Sequence, residues 1–281
     1  MNAKPNIHHG NHQNHYTRVL AVSGGKGGVG KSNITINLSI CLSRLNQRVM
    51  ILDADLGLAN IDVLLGLKPQ CNLEDVYSGT CGLLDVTLEG PDNIRIIPAS
   101  SGTQSMVNLT SRQHAGLVHA FSDFADSIDT LVIDTAAGIS DSVIQFIRAA
   151  QEALIVVCDE PSSLTDAYAM IKLLHRDHGV HEFRIIVNQT RSKKEGIELY
   201  QRLLNTANQF LDVQLRYEGD IPYDEALRDA VKQQQAVTVK SPRSESAKAF
   251  KRLAERVLGW PVKSNPSGEL EFFVEQLLRK T

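Results

Sequence analysis

The segment Gly25-Lys26-Gly27-Gly28-Val29-Gly30-Lys31-Ser32 constrains this chain more than any other. It follows a short apolar run, Val19-Leu20-Ala21-Val22-Ser23, and precedes a stretch in which Ile34, Leu38, Leu42 and Leu45 recur at helical spacing. A glycine-rich run continues neither strand nor helix, so the order is strand, tight loop, helix. The spacing of Gly25, Gly30, Lys31 and Ser32 matches the phosphate-binding loop, and the flanking elements are the context that pattern requires. Gly25, Gly27, Gly28 and Gly30, with Val29 among them, let the backbone wrap closely and turn its N–H groups inward. The helix N-terminus adds its own attraction for anions. Lys31 is placed to neutralise the β and γ phosphates of ATP, or the β phosphate of ADP, in its own subunit, and the Ser32 hydroxyl to ligate Mg²⁺.

The rest of the chain repeats the theme. Arg48 to Leu52 ends at Asp53, Ile94 to Ile97 stops at Pro98, and Leu131 to Ile133 ends at Asp134. Leu154 to Cys158 and Arg184 to Val187 are two further apolar runs. Continuous apolar strands separated by helical segments predict an α/β fold: a doubly wound, mostly parallel sheet with helices on both faces. Ligands of such sheets bind beyond the strands' C-terminal ends, where Ser23, Asp53, Asp55, Asp134 and Asn188 fall. Past Pro222 the spacing predicts helices over about 224–234 and 244–258, and Trp260-Pro261 closes the body. The expected organisation is a flexible His-rich tail (1–17), a nucleotide-binding domain (18–262), and a linker with a C-terminal amphipathic helix (263–281).

Composition narrows the classes. Of 281 residues, 42% are hydrophobic, which excludes wholesale disorder. Lys and Arg number 29 against 32 Asp and Glu, a balance that argues against a protein coating nucleic acid, so no direct nucleic-acid contact is expected. No apolar stretch is long enough to span a bilayer, and the polar N-terminus lacks a signal peptide's apolar core. A cytoplasmic location is the expectation. The tail histidines His8, His9, His12 and His15 read as solvated chain rather than a metal site. Cys41, Cys71, Cys81 and Cys158 form no CxxC pair and read as buried small hydrophobes.

Lys26, near the start of the loop, exceeds the generic pattern. With it the chain resembles the deviant Walker A ATPases of the MinD/ParA family, a P-loop NTPase fold of the SIMIBI class. The resemblance implies an ATP-dependent homodimer in which Lys26 reaches the partner subunit's phosphates, stabilising transition-state charge as an arginine finger does. Further positions match. Asp53-Ala54-Asp55-Leu56-Gly57-Leu58-Ala59-Asn60 resembles the first switch, with Asp55 orienting the attacking water near Mg²⁺ and Asn60 facing a partner. Asp134-Thr135-Ala136-Ala137-Gly138 resembles the Walker B end and second switch, with Asp134 holding Mg²⁺. Asn188 matches the asparagine that reads adenine, and Gly219-Asp220-Ile221-Pro222 the loop packed on the base. The likeness covers about residues 18–258.

Leu52 to Leu67, Pro98 to Met106, Asp134 to Ile139 and Asp159 to Ala169 are most similar to the FlhG/FleN branch, the flagellar-number regulators. That resemblance implies a slow, regulatory Mg-ATPase, with a FleQ-type transcription activator and the SRP-type GTPase FlhF as partners. The branch's N-terminal GTPase-activating motif, Asp-Gln-Ala-x-x-Leu-Arg, does not occur in this tail, so control of the activator is the expected output. Asp159 and Glu160 receive no role. Division-site positioning or DNA partitioning by the same family, and an iron–sulfur carrier with a similar loop, are the alternatives.

Leu270, Phe273, Val274, Leu277 and Leu278 fall on one helical face near the C-terminus. In the family such a helix targets the membrane, giving peripheral contact with the inner membrane or cell pole. Glu269, Glu271 and Glu275 outnumber Arg279 and Lys280, a pattern unhelpful for anionic lipid. A helix docked on the body without ATP and released with it satisfies both demands.

Overall fold

The apolar runs become strands buried on both faces. In the computed structural model, which describes residues 17–55, 60–71, 75–76, 80–98, 121 and 127–261, they are β1 (Arg18–Ser23), β2 (Val49–Ala54), β3 (Leu88–Glu89), β4 (Arg95–Ile97), β5 (Thr130–Thr135), β6 (Glu152–Cys158), β7 (Glu182–Thr190) and β8 (Gln214–Pro222). The sheet order is β3-β4-β2-β5-β1-β6-β7-β8. Every pairing is parallel except β3 with β4. The expected doubly wound α/β architecture is therefore the observed one.

Side chains alternate between two apolar layers, as the period of two requires. Leu20 and Val22 of β1, with Val132, Leu154 and Val156, enter one layer; Ala21, Ile155 and Val157 enter the opposite one. The first layer is covered by α1 (Lys31–Arg44) and later by α9 (Glu245–Leu258), the second by α4 (Asp141–Ala149), α5 (Pro161–His178) and α6 (Lys193–Phe210). Helix α1 lies between sheet and α9, so Ile36 and Ile40 are buried along with Ile34, Leu38 and Leu42. Two short helices, α2 (Ile61–Leu65) and α3 (Leu83–Val86), follow β2, and α7 (Glu225–Lys232) and α8 (Val237–Lys240) follow β8.

The structure departs from the sequence expectation in two places. Gly219 to Pro222, expected as a loop, ends strand β8, whose register shifts where Gly219 stands at φ 113°. Its outward positions are polar because it is an edge strand. Cys41 and Cys158 are buried as expected, but Cys71 and Cys81 are only half-buried and face one another.

At the strands' N-terminal edge, Arg184 is buried between Glu152 and Glu218, at 2.7 Å from each, and stacks 3.8 Å from the centre of the Trp260 ring. Trp260 Nε1 donates to Glu218, and Arg18 donates to the carbonyls of Val257 and Trp260. This cluster fastens the chain that leaves α9 to the edge remote from the phosphate loop. No described helix is long and apolar enough to cross a membrane. The histidine tail, Leu56 to Ala59, Ala99 to Met106, the linker, and the helix bearing Leu270, Phe273, Val274, Leu277 and Leu278 lie outside the described residues.

Candidate functional site

Strand β1 sits between β5 and β6, the point at which the chain stops building one half of the sheet and begins the other. Crevices open at such a point, and the glycine loop fills this one. Gly30 carries φ 94° as the residue before α1, and a Cβ there would stand 2.2 Å from Asn188 Nδ2. Gly25 is equally constrained, since a Cβ would lie 2.4 Å from the Asp166 carbonyl carbon of α5. These two positions accept only glycine. Asn188, at the end of β7, donates to the Val29 carbonyl at 2.7 Å and so holds the loop.

Lys31 is buried at the base of the loop, and burial lowers its pKa while Asp134 and Asp55 pull it upward. Asp134 and Asp53 stand side by side on β5 and β2. Burial pushes the Asp134 carboxyl up to about 7 and Asp53 up to about 6. Asp134 Oδ1 accepts from Thr35 at 3.2 Å, and the nearby Ser32 hydroxyl pulls the pKa of this carboxyl down against the effect of burial. Asp134 Oδ2 is buried with no hydrogen-bond partner. An orphaned carboxylate oxygen beside a hydroxyl is the donor set that a hard divalent cation takes, so these residues fit Mg²⁺.

Asp53 does different work. Its Oδ1 accepts the backbone N–H of Asp55 at 3.1 Å, and its Oδ2 accepts those of Asn60 and Ile61 at 3.1 and 3.2 Å. One carboxylate thus fastens both described ends of the segment after β2 and caps α2. The second segment of interest is held likewise: Gly138 N–H donates to the Gly24 carbonyl, and Thr135 Oγ1 donates to Ser23 Oγ at 2.8 Å.

Lys26, itself within the glycine loop, is bound to residues that open α5. Its ammonium meets Glu160 and donates to Ser162 Oγ at 3.0 Å, at the start of α5. The Glu160 hydrogen bond raises the lysine pKa. Glu160 had no sequence signal beyond its place after a strand, because its partner lies 134 positions away.

A cleft of about 490 Å³ lies beside Gly30 and Asn188. Pro222 lines it, as anticipated, together with Tyr223, Leu227 and Val231, which the sequence reading missed. Their signal was available in the apolar positions of the helix after Pro222. The structure thus gathers Gly25 to Ser32, Asp55, Asp134, Asn188 and Pro222 around the strands' C-terminal edge.

Comparison with known proteins agrees with this geometry. A ParA family model, described as NUBPL iron-transfer P-loop NTPase, matches residues 15–258. The antiactivator FleN of Pseudomonas aeruginosa is 58% identical over 265 residues, covering 94% of this chain and 95% of FleN. The flagellum site-determining protein YlxH of Helicobacter pylori is 32% identical, covering 93% of this chain and 87% of its own. The septum site-determining protein MinD from Pyrococcus horikoshii OT3, solved with Mg-ADP, superposes with a TM-score of 0.68 at 27% identity, covering 86% of this chain and 96% of MinD. Sequence, fold and loop chemistry agree: this chain belongs to the ParA/MinD family of P-loop ATPases, on the branch that includes FleN.

Proposed function

We propose that this ATPase is a dimerising switch that restricts flagellar number. Mg-ATP binds with its phosphates on Gly25 to Ser32 and its base in the cleft between Asn188 and Pro222. Ser32 and Asp134 would hold Mg²⁺, which when bound would supply charge neutralisation at the phosphates, and Asp55 would position the attacking water. The carrying observation is the position of Lys26. Its ammonium rests on an exposed contact with Glu160 and Ser162, which solvent screens and which is therefore easily exchanged. A partner's phosphates offer a stronger site for the same cation. Asp53 ties the first switch to the end of β2, and the Gly138–Gly24 contact ties the second to the start of the loop, so nucleotide state reaches the surface near Asn60 and Ile139.

The likeness to an antiactivator supports a transcription activator of the FleQ type as the regulated partner. Joint action with an SRP-type GTPase, FlhF, and reversible membrane contact through the C-terminal segment complete the proposal. The experiment is complementation. Cells deleted for this gene should carry extra flagella, the parent gene should restore the normal number, and Lys26→Ala should not. Restoration by Lys26→Ala, or an unchanged flagellar count in the deletion, contradicts the proposal.

A further inference from the structure

Cys71 and Cys81 are ten positions apart, and their sulfurs lie 2.7 Å apart, the Cys81 thiol donating to Cys71 Sγ. Both side chains are half-buried, within reach of small solutes, and both pack against the apolar layer that includes Leu83 and Val86 of α3. Cys41 and Cys158 differ: they are buried in the core. A covalent S–S bond measures about 2.05 Å, so the sulfurs need to approach by less than about 1 Å. Nothing in the nucleotide site uses this pair.

We propose that Cys71 and Cys81 are a reversible oxidation site that closes into an intramolecular disulfide on reaction with low-molecular-weight disulfides. The hydrogen bond sets the order of events. Cys81 donates and keeps its proton, its thiol pushed up to about 11 by the bond to Cys71. The Cys71 thiolate attacks one sulfur of the small disulfide, the S–S bond breaks, and one thiolate leaves and takes up a proton. The Cys81 thiol then loses its proton and attacks Cys71 Sγ, expelling the second small thiolate. Two protein thiols are oxidised and one small disulfide is reduced to two thiols. The product ties the chain that follows α2 to the chain that enters α3, fastening the segment between the first switch and the sheet. Such cysteines in a reducing compartment act as redox sensors rather than structural staples.

The test is a thiol count on the full chain exposed to oxidised glutathione, then unfolded and alkylated. Reactive thiols should fall from four to two, a peptide linking Cys71 to Cys81 should appear, and dithiothreitol should restore all four. Cys81→Ser should instead hold one glutathione on Cys71, while Cys71→Ser should take up little. Persistence of four thiols, a stable glutathione adduct on the parent chain, or linkage between chains overturns the proposal.

Discussion

Gly30 carries two demands at once, a left-handed backbone and the absence of a Cβ against Asn188 Nδ2. Gly30→Ala is expected to lose about 2–4 kcal/mol of stability in urea unfolding, from strain and overpacking together. It should also release Asn188 from the Val29 carbonyl and abolish binding of a fluorescent nucleotide. Asp53 makes a subtler case. Sequence reading treated it as the strand-end neighbour of Asp55, and its position alone could not separate catalysis from a cap. The structure shows its three backbone contacts, which set where Asp55 begins and α2 starts. Asp53→Ala is expected to cost about 1–3 kcal/mol, since it leaves buried N–H groups unpaired. The phosphate-loop motif was legible because it is written in contiguous residues. The Lys26–Glu160 contact was not, because it joins residues 134 positions apart.

At the scale of elements, the central strands were legible because burial on both faces makes them continuously apolar. Strand β8 was hidden because an edge strand alternates and carries Gly219 and Pro222, both strand-breaking signals. The helices after it depend on one residue. Asp224 caps α7 through Ala226 N–H at 2.9 Å and also accepts from Ser246 N–H and Oγ at 3.0 and 2.7 Å at the start of α9. Burial raises its pKa, but the hydrogen bonds from Ser246, Ala226 and Ser244 outweigh it and hold the carboxyl below 3.8. A depressed folded pKa gives stability that is complete above the unfolded value and lost as pH falls through the folded one. Asp224→Ala should therefore unfold about 1–2 kcal/mol more easily at neutral pH, and the gap should narrow as pH drops below about 4, measured by urea titration.

Across the whole molecule, the two ends of the sheet have separate roles. One edge gathers the proposed nucleotide residues; the other holds the buried Arg184 cluster and the exit of the chain at Trp260. The sequence carried no trace of that cluster, since Arg184 looked like the polar start of an apolar run and its two carboxylates lie 32 and 34 positions away. Arg184→Met leaves Glu152 and Glu218 buried without their cation, and is expected to lower stability by about 3–5 kcal/mol in urea unfolding while leaving the nucleotide edge intact.

The central claim is that ATP joins two copies through Lys26. The most direct test is the solution mass of the chain with Mg²⁺ and either ADP or a slowly hydrolysed ATP analogue, by light scattering after size exclusion. The account predicts a monomer with ADP, a dimer with the analogue, and a Lys26→Ala chain that binds the analogue but stays monomeric. One mass in both nucleotide states, or a Lys26→Ala dimer equal to the parent, would contradict it.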